Sequence, residues 1–149
     1  MIHDVVVQPL RRIPDERGTI MHMLKSSDPW FESFGEIYFS TVYPGVVKGW
    51  HIHHRMTLNY CVISGNIKLV LYDDRANSPT HGEINELFIG TENYSLVKIP
   101  PLIWNGFKGT GSSPSILANC SSEPHDPNEI ERMDPFTNSI PYTWDLKNG

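Results

Sequence analysis

Short apolar runs that alternate with polar residues recur along the chain, and the clearest lies at Ile67, Leu69 and Leu71. Residues two apart on a strand share a face, so this alternation predicts a strand with one fully apolar face and one mixed face. An apolar run at residues 58–63 precedes it, and Ser-Gly-Asn at 64–66 separates the two. Because a central glycine favours a tight turn, the two runs are predicted to form a β-hairpin.

Similar patterns predict the other strands. Twelve prolines and eleven glycines interrupt short runs of β-branched and aromatic residues, and no long amphipathic helix is indicated. Further strands are predicted at residues 5–7, 19–24, 36–42, 83–89, 94–99 and 115–119. Residues 29–34 and 127–133 start near proline and carry acidic residues, which predicts one or two short helical turns. About eight to ten strands in a small domain are typical of an all-β jelly roll or barrel.

Length and charge narrow the possible functions. A chain of 149 residues is expected to form a single domain, residues 1–149. A net charge of -5 provides no basic stripe for phosphates, so no nucleic-acid partner is expected. Neither a signal-peptide core nor an apolar run of roughly 18 residues is found, so we expect a cytoplasmic protein with no membrane partner.

Residues 45–54 end in Trp-His-Ile-His-His and have the outline of the metal-binding motif of cupins, but without all its ligands. The glutamate position of that motif falls on Leu58, and the distant histidine position falls on Asn105. Two histidines cannot complete a divalent site, since zinc takes about three or four donors. We therefore expect no metal and no other cofactor, and we interpret His51 and His53 as acid or base groups. A metal-dependent oxygenase is the most distant alternative.

His51 and His53 are predicted to share one face of a strand, with His54 on the other. Nearby cations (Lys48 and Arg55) and tryptophans would suit an anionic or sugar ligand. Imidazole titrates near neutral pH, which favours proton-transfer chemistry. The alternative is that both histidines are polar residues of a solvated strand.

A histidine base needs a group that fixes its tautomer, commonly a carboxylate. Asp73 and Asp74 follow the strand that ends at Tyr72, and alternation allows at most one of them to meet His51. They are equally compatible with ordinary turn residues. Arg17 lies in a turn-like Asp-Glu-Arg-Gly segment, where its planar fork suits a diphosphate, although a plain surface turn is nearly as compatible.

Together these segments resemble the dTDP-4-dehydrorhamnose 3,5-epimerase family, a group of metal-independent, cupin-fold nucleotide-sugar enzymes. The resemblance covers roughly residues 14–144. The matching segments, in chain order, are 15–18 (Asp-Glu-Arg-Gly), 48–51 (Lys-Gly-Trp-His), 73–75, 78–82 (Ser-Pro-Thr-His-Gly), 91–93, 99–107, 126–127 and 134–135. Each is short, but their common order makes the resemblance specific.

The resemblance implies that His51 is the base that removes the proton next to a 4-keto group. It also implies a homodimer that exchanges N-terminal strands, in which Arg17 of one subunit holds the diphosphate in the other. Lys48 stands where the family has arginine, which keeps the charge and loses the bidentate fork. Glu36 and Asn105 complete the predicted substrate-binding residues.

The chain departs from the family pattern at three positions. The family's catalytic tyrosine falls on His125, and the family's lysine falls on Leu58, so Arg55 or Lys108 would have to stabilise an enolate. The C-terminal aspartate that partners the family's histidine is absent. The partner of His51 is therefore open among His53, Asp73 and His125.

The predicted function is a metal-independent epimerase acting at C3, C5 or both of a nucleotide-diphosphate-linked 4-keto-6-deoxy sugar. One alternative is a nucleotide-sugar 3,4-ketoisomerase, which the His-x-His pattern at residues 51–53 also resembles. Another is a non-catalytic cupin that binds a sugar nucleotide.

Overall fold

A computed structural model describes residues 1–148 and consists almost entirely of β-strands. The strands are β1 (Val6–Pro9), β2 (Arg12–Asp15), β3 (Gly18–Met21), β4 (Glu36–Val42), β5 (Val47–His53), β6 (Leu58–Ser64), β7 (Asn66–Tyr72), β8 (Ile84–Gly90), β9 (Ser95–Ile99), β10 (Trp104–Thr110), β11 (Ser115–Ser121) and β12 (Ile130–Arg132). Within residues 1–148, no helix has the length and apolar character required to cross a membrane.

Ten of these strands form two five-stranded sheets. The first sheet has the order β1-β9-β6-β11-β4, and the second has the order β12-β5-β10-β7-β8. All of the strand pairs within the sheets are antiparallel. The predicted all-β jelly roll is therefore confirmed. The hairpin β2-β3 forms a separate two-stranded sheet.

The main core lies between the two sheets and follows from the alternation in the sequence. Ile67, Leu69 and Leu71 of β7 are fully buried in it. The predicted hairpin between β6 and β7 is wrong, because β6 pairs with β9 and β11 in the first sheet and β7 pairs with β8 and β10 in the second. The turn itself is present, with a positive φ of 81° at Gly65, but it carries the chain from one sheet to the other. A Cβ there would lie 2.8 Å from the Cα of Ser115, so the turn requires glycine for space as well as for conformation.

A second apolar cluster covers the outer face of the second sheet. Trp50 and Val70 on that face pack with Ile140 and Trp144 of the C-terminal segment. Lys68 extends over the ring of Trp144, with 5.6 Å from its Nζ to the ring centroid. The C-terminal segment thus buries the mixed face of β7 that the sequence pattern indicated.

The predicted helical turns are wrong. Residues 29–34 contain only turns and irregular backbone. Residues 127–133 carry β12, which pairs with β5 in the register His53 to Ile130 and His51 to Arg132. Pairing satisfies the backbone N–H and C=O groups along that side of β5, which a single helical turn could not do. The predicted strands also omit β2 and β10.

Candidate active site

A cleft opens where the edges of the two sheets separate, between β4 of the first sheet and β5 and β12 of the second. It comprises two hollows of about 450 and 360 Å³, which share Tyr38, His51 and Arg132. The first hollow is also lined by Glu36, His53, Met56, His125 and Ile130. The second is also lined by Ser40, Val47, Lys48, Gly49, Trp50, Tyr60, Phe107, Leu117 and Pro135.

An irregularity in β5 allows Lys48 and His51 to face the cleft together. Strict alternation would place these two residues on opposite faces. Along β10, Asn105 pairs with His51 and Phe107 pairs with Lys48, so β5 has one extra residue in this interval. Gly49 makes the bulge possible, because a Cβ there would come within 2.8 Å of the Cα of Gly106. Beyond the bulge, alternation places His51 and His53 on the cleft face.

Hydrogen bonds fix the ring of His51. Its Nε2 lies 3.1 Å from the Tyr60 hydroxyl, and that hydroxyl lies 3.3 Å from Oδ1 of Asn105. The Asn105 amide is oriented in turn, because its Nδ2 donates to the backbone carbonyl of His51 at 3.2 Å. Tyr60 therefore donates to Asn105 and accepts from the Nε2–H of His51. This arrangement leaves Nδ1 of His51 with its lone pair for a ligand.

The environment of His51 keeps the imidazole neutral. Burial, followed by the nearby His53 and Arg132, lowers the pKa of His51 to about 3. Burial and the neighbouring Tyr38 raise the pKa of Tyr60 well above its usual range, so its phenol keeps its proton. A neutral imidazole with a free Nδ1 is the form that can accept a proton.

A buried carboxylate partners His53. Nδ1 of His53 donates to Oε1 of Glu129, and both side chains are buried. Oε2 of Glu129 accepts the backbone N–H groups of Arg55 and Met56 at 3.1 and 3.2 Å. Burial alone would raise the pKa of Glu129, but the bonds from His53 and these two amides lower it below its usual range. The ring of His53 and the two backbone amides thus stabilise the ionised form of the Glu129 carboxylate.

Two rows of polar side chains face each other across the cleft. On the first sheet, strand pairing aligns Tyr38, Asn119 and Tyr60 on β4, β11 and β6. On the second sheet, pairing aligns Arg132 and His51 with Asn105 on β12, β5 and β10. Tyr60 bridges the closed end of the two rows, and Tyr38 and Arg132 lie at the open end. The cleft thus has a phenol on one wall and an imidazole beside a guanidinium on the other.

The family model described as dTDP-4-dehydrorhamnose 3,5-epimerase matches residues 1–148. The chain belongs to this family. The predicted function as an epimerase, and so as an isomerase, is confirmed at the level of the family.

Relatives from archaea and bacteria agree with this assignment. The probable low-salt glycan biosynthesis epimerase Agl13 of Haloferax volcanii is 38% identical over 143 residues, covering 95% of this chain and 88% of that protein. The spore coat polysaccharide biosynthesis protein SpsL of Bacillus subtilis is 30% identical over 149 residues, covering 99% of each chain. A crystal structure of a dTDP sugar isomerase from Desulfovibrio desulfuricans superimposes with a TM-score of 0.93 at 43% identity, covering 96% of this chain and 92% of that one.

Five of the residues predicted from the sequence line the cleft: Glu36, Lys48, His51, His53 and His125. The ammonium group of Lys48 donates to the Ser40 hydroxyl at 2.9 Å and so spans the second hollow. Asn105 is buried beneath the cleft, where it holds Tyr60 and the backbone of His51. Asn105 is therefore placed to orient Tyr60 and His51 rather than to contact a substrate directly.

The structure does not bring Asp73 to His51. The Asp73 carboxylate accepts from Arg75, Ser78 and Thr80 within its own loop, at 2.6 to 2.9 Å. This is the turn role that the sequence also allowed. Tyr60 occupies Nε2 of His51 instead.

Three predicted cationic residues lie elsewhere. Arg55 pairs with Asp126 at 3.0 Å and with Glu123 at 3.4 Å, and so fastens the loop that carries His125. Lys108 donates to the backbone carbonyl of Trp144 on the outer face of the second sheet. Arg17 is exposed on the β2-β3 turn, where it pairs with Asp15 at 2.6 Å. None of these three is among the residues that line the cleft in the described part of the chain.

Sequence reasoning missed Tyr38, Tyr60, Glu129 and Arg132. Tyr38 could have been predicted, because alternation along β4 places it on the same face as Glu36. Arg132 and Glu129 were hidden by the incorrect helical prediction for residues 127–133. A strand there would have placed Ile130 and Arg132 on one face.

Acid should destabilise the fold through His51, and this effect can be isolated. The unfolded chain takes up a proton on His51 near pH 6.5, whereas the folded protein does so only near pH 3. Between these values the free energy of unfolding should fall with decreasing pH, by up to about 1.4 kcal/mol per pH unit. In the His51→Gln variant this contribution is absent, so its stability profile should be flatter. Urea unfolding between pH 7 and pH 4.5 measures the difference, and parallel profiles would contradict it.

Buried carboxylates also contribute to acid unfolding, both in the wild-type protein and in the His51→Gln variant. Burial alone would raise the pKa of Asp73, but hydrogen bonds from Arg75, Ser78 and Thr80 bring it well below its usual range. Glu129 is likewise lowered. Their stabilisation is present above the ordinary carboxyl pKa and is lost as the pH falls through the folded value. The comparison between the two proteins is therefore made above pH 4.5.

Proposed function

We propose that this epimerase acts on a nucleotide-diphosphate-linked 4-keto-6-deoxy sugar and inverts C3, C5 or both, with His51 as the base. The observation that supports the proposal most strongly is the neutral His51 ring in the cleft, with Nε2 held by Tyr60 and Nδ1 free. A 4-keto group acidifies the protons on the two neighbouring carbons. Nδ1 of His51 removes one of them, and the electron pair moves to O4 as an enolate.

Arg132 is the cation that we assign to the enolate. It pairs with His51 in the β-ladder and lines both hollows. The sequence suggested Arg55 or Lys108 for this role, but both are engaged outside the cleft. A guanidinium fixed where negative charge develops stabilises the transition state more than the ground state.

The remaining cleft residues are assigned to the sugar and the nucleotide. Lys48 and Glu36 lie at opposite ends of the cleft, in the second and first hollows. We further propose a homodimer in which Arg17 of one subunit contacts the diphosphate held by the other. Two features support it: the β2-β3 hairpin lies outside both large sheets, and Ile37 and Phe39 are exposed on the outer face of edge strand β4.

Exchange with solvent tests the proposed reaction. Incubation of the protein in heavy water with dTDP-4-keto-6-deoxyglucose, or with the corresponding UDP sugar, should place deuterium at C3, C5 or both. NMR and mass spectrometry of the recovered sugar locate the label and the inverted centre. Binding without exchange for every such sugar would contradict the proposal and favour a non-catalytic binding protein.

A 3,4-ketoisomerase is the second candidate, because His51 and His53 both line the cleft with ring centroids 5.8 Å apart. Two imidazoles side by side could serve two adjacent carbons. That reaction would move the carbonyl group and give a 3-keto product. The same NMR experiment distinguishes the two reactions by the position of the carbonyl carbon.

A further inference from the structure

Inversion at a carbon requires a proton to leave one face of the sugar ring and another to arrive at the opposite face. A ring held between the two sheets would have one face toward β5 and the other toward β4. His51 lies on the β5 wall of the cleft. The group that returns the proton must therefore belong to the opposite wall.

We propose that Tyr38 is this proton donor. The proposal rests on the proposed function, with His51 as the base. Tyr38 projects from β4 and, like His51, lines both hollows of the cleft. It belongs to the row of side chains on the first sheet that faces the row containing His51 on the second. A sugar ring between these rows would have an imidazole on one face and a phenol on the other.

The hydroxyl of Tyr38 is arranged to donate. Nδ2 of Asn119 donates to the Tyr38 oxygen at 3.1 Å, which fills one acceptor position. Among residues 1–148, no acceptor receives the Tyr38 hydroxyl hydrogen, which is free for a ligand. Tyr60 differs, since its hydroxyl donates to Asn105 and its side chain is buried. Of the two phenols in this row, Tyr38 is thus the one with a proton to give.

The proton balance closes without any further reagent. The carbon–hydrogen bond breaks toward Nδ1 of His51, and the enolate then takes the Tyr38 proton at the same carbon from the opposite face. The cycle leaves an imidazolium and a phenolate. Water removes the proton from His51 and returns one to Tyr38. Solvent can reach Tyr38, because this residue is 40% exposed. No atom changes oxidation state overall, because the ketone is regenerated.

His125 is the alternative that the sequence suggested. It is exposed and lies in the segment between β11 and β12, at the rim of the first hollow. It does not line the second hollow, which Tyr38 and His51 both line. Its loop is held by the ion pair of Arg55 with Asp126. The position of His125 suits contact with an outer part of the substrate.

The Tyr38→Phe variant separates proton removal from proton return. In heavy water it should still exchange the substrate proton within a few-fold of the wild-type rate, while inversion falls by about 10²-fold or more. Deuterium in recovered, uninverted substrate measures removal, and the inverted product measures both steps. A role for Tyr38 only in structure would lower both rates together, so their ratio is the informative quantity.

Tyr43→Phe is the matched control: it removes a hydroxyl from an exposed tyrosine outside the cleft residues and should change neither rate. His125→Asn tests the alternative donor. Loss of a substrate contact would lower exchange and inversion together, so the ratio of the two rates should stay that of the wild type. The assignment of Tyr38 is overturned if Tyr38→Phe inverts at the wild-type rate, if it loses exchange and inversion equally, or if His125→Asn abolishes inversion while retaining exchange. Absence of exchange in the wild-type protein would instead refute the proposed function itself.

Discussion

Replacing His51 with glutamine should lower the rate of epimerisation by about 10² to 10⁴-fold, the usual contribution of a positioned general base. The amide nitrogen of glutamine can still donate to Tyr60 in place of Nε2, so the wall of the cleft should be preserved. The amide cannot take a proton from carbon at neutral pH. Exchange of the substrate proton with heavy water should therefore fall in parallel with epimerisation. Both rates are followed in one NMR time course.

His54→Gln is the matched control for this substitution. His54 follows the end of β5, but its side chain is exposed and pairs with the exposed Glu131. Both rates should remain within about two-fold of wild type, since an exposed pair contributes little energy. Exchange at the wild-type rate in the His51→Gln variant would remove His51 from the mechanism. His53 would then be the remaining imidazole on that wall.

Under the proposed mechanism, Tyr60 and Asn105 hold the ring of His51 in the place of the carboxylate that commonly partners a histidine base. A carboxylate beside an imidazole fixes the tautomer and also stabilises the protonated ring. The Tyr60–Asn105 pair fixes the tautomer through neutral groups. It offers no charge to an imidazolium, which is consistent with the lowered pKa of His51. Return of the proton to water should thus be fast.

The fold was largely predictable from the sequence because its causes are local. Alternation at Ile67, Leu69 and Leu71 determines which face of β7 enters the core, and Gly65 marks the turn that precedes it. The expected pairing of β6 with β7 was wrong, because a turn glycine also allows the chain to cross from one sheet to the other. The helical prediction for residues 127–133 was wrong because proline and acidic residues also occur where strands begin. The local pattern does not show that β5 has a free edge to pair with.

The site was less predictable because its contacts join distant parts of the chain. The His-x-His pattern pointed to His51 and His53 by local spacing. Their partners Tyr60 and Glu129 are 9 and 76 residues away, respectively, and depend on how the strands pair. Asp73 was a suitable partner for His51 in its chemistry, since it is a carboxylate that directly follows β7. Three donors in its own loop compete for the same oxygens, and they are closer.

The largest effect on stability should come from Glu129. In the Glu129→Ala variant, His53 and the backbone N–H groups of Arg55 and Met56 lose their acceptor within the protein interior. Each buried donor left without an acceptor costs about 1 to 3 kcal/mol, so the loss of the acceptor for all three should cost more than about 3 kcal/mol of unfolding free energy. Glu129→Gln keeps one acceptor oxygen and should lose less, about 1 to 3 kcal/mol. Urea unfolding at pH 7 measures both values.

The matched control and a double-mutant cycle identify the cause of this loss. Glu131→Gln changes an exposed carboxylate that pairs with His54, and should stay within about 0.5 kcal/mol of wild type. If the interaction between His53 and Glu129 dominates, His53→Ala combined with Glu129→Ala should lose less than the sum of the two single changes. Additive losses would mean that Glu129 acts mainly through the Arg55 and Met56 amides. The segment from His125 to β12 would then be held to β5 by its backbone contacts rather than by the buried pair.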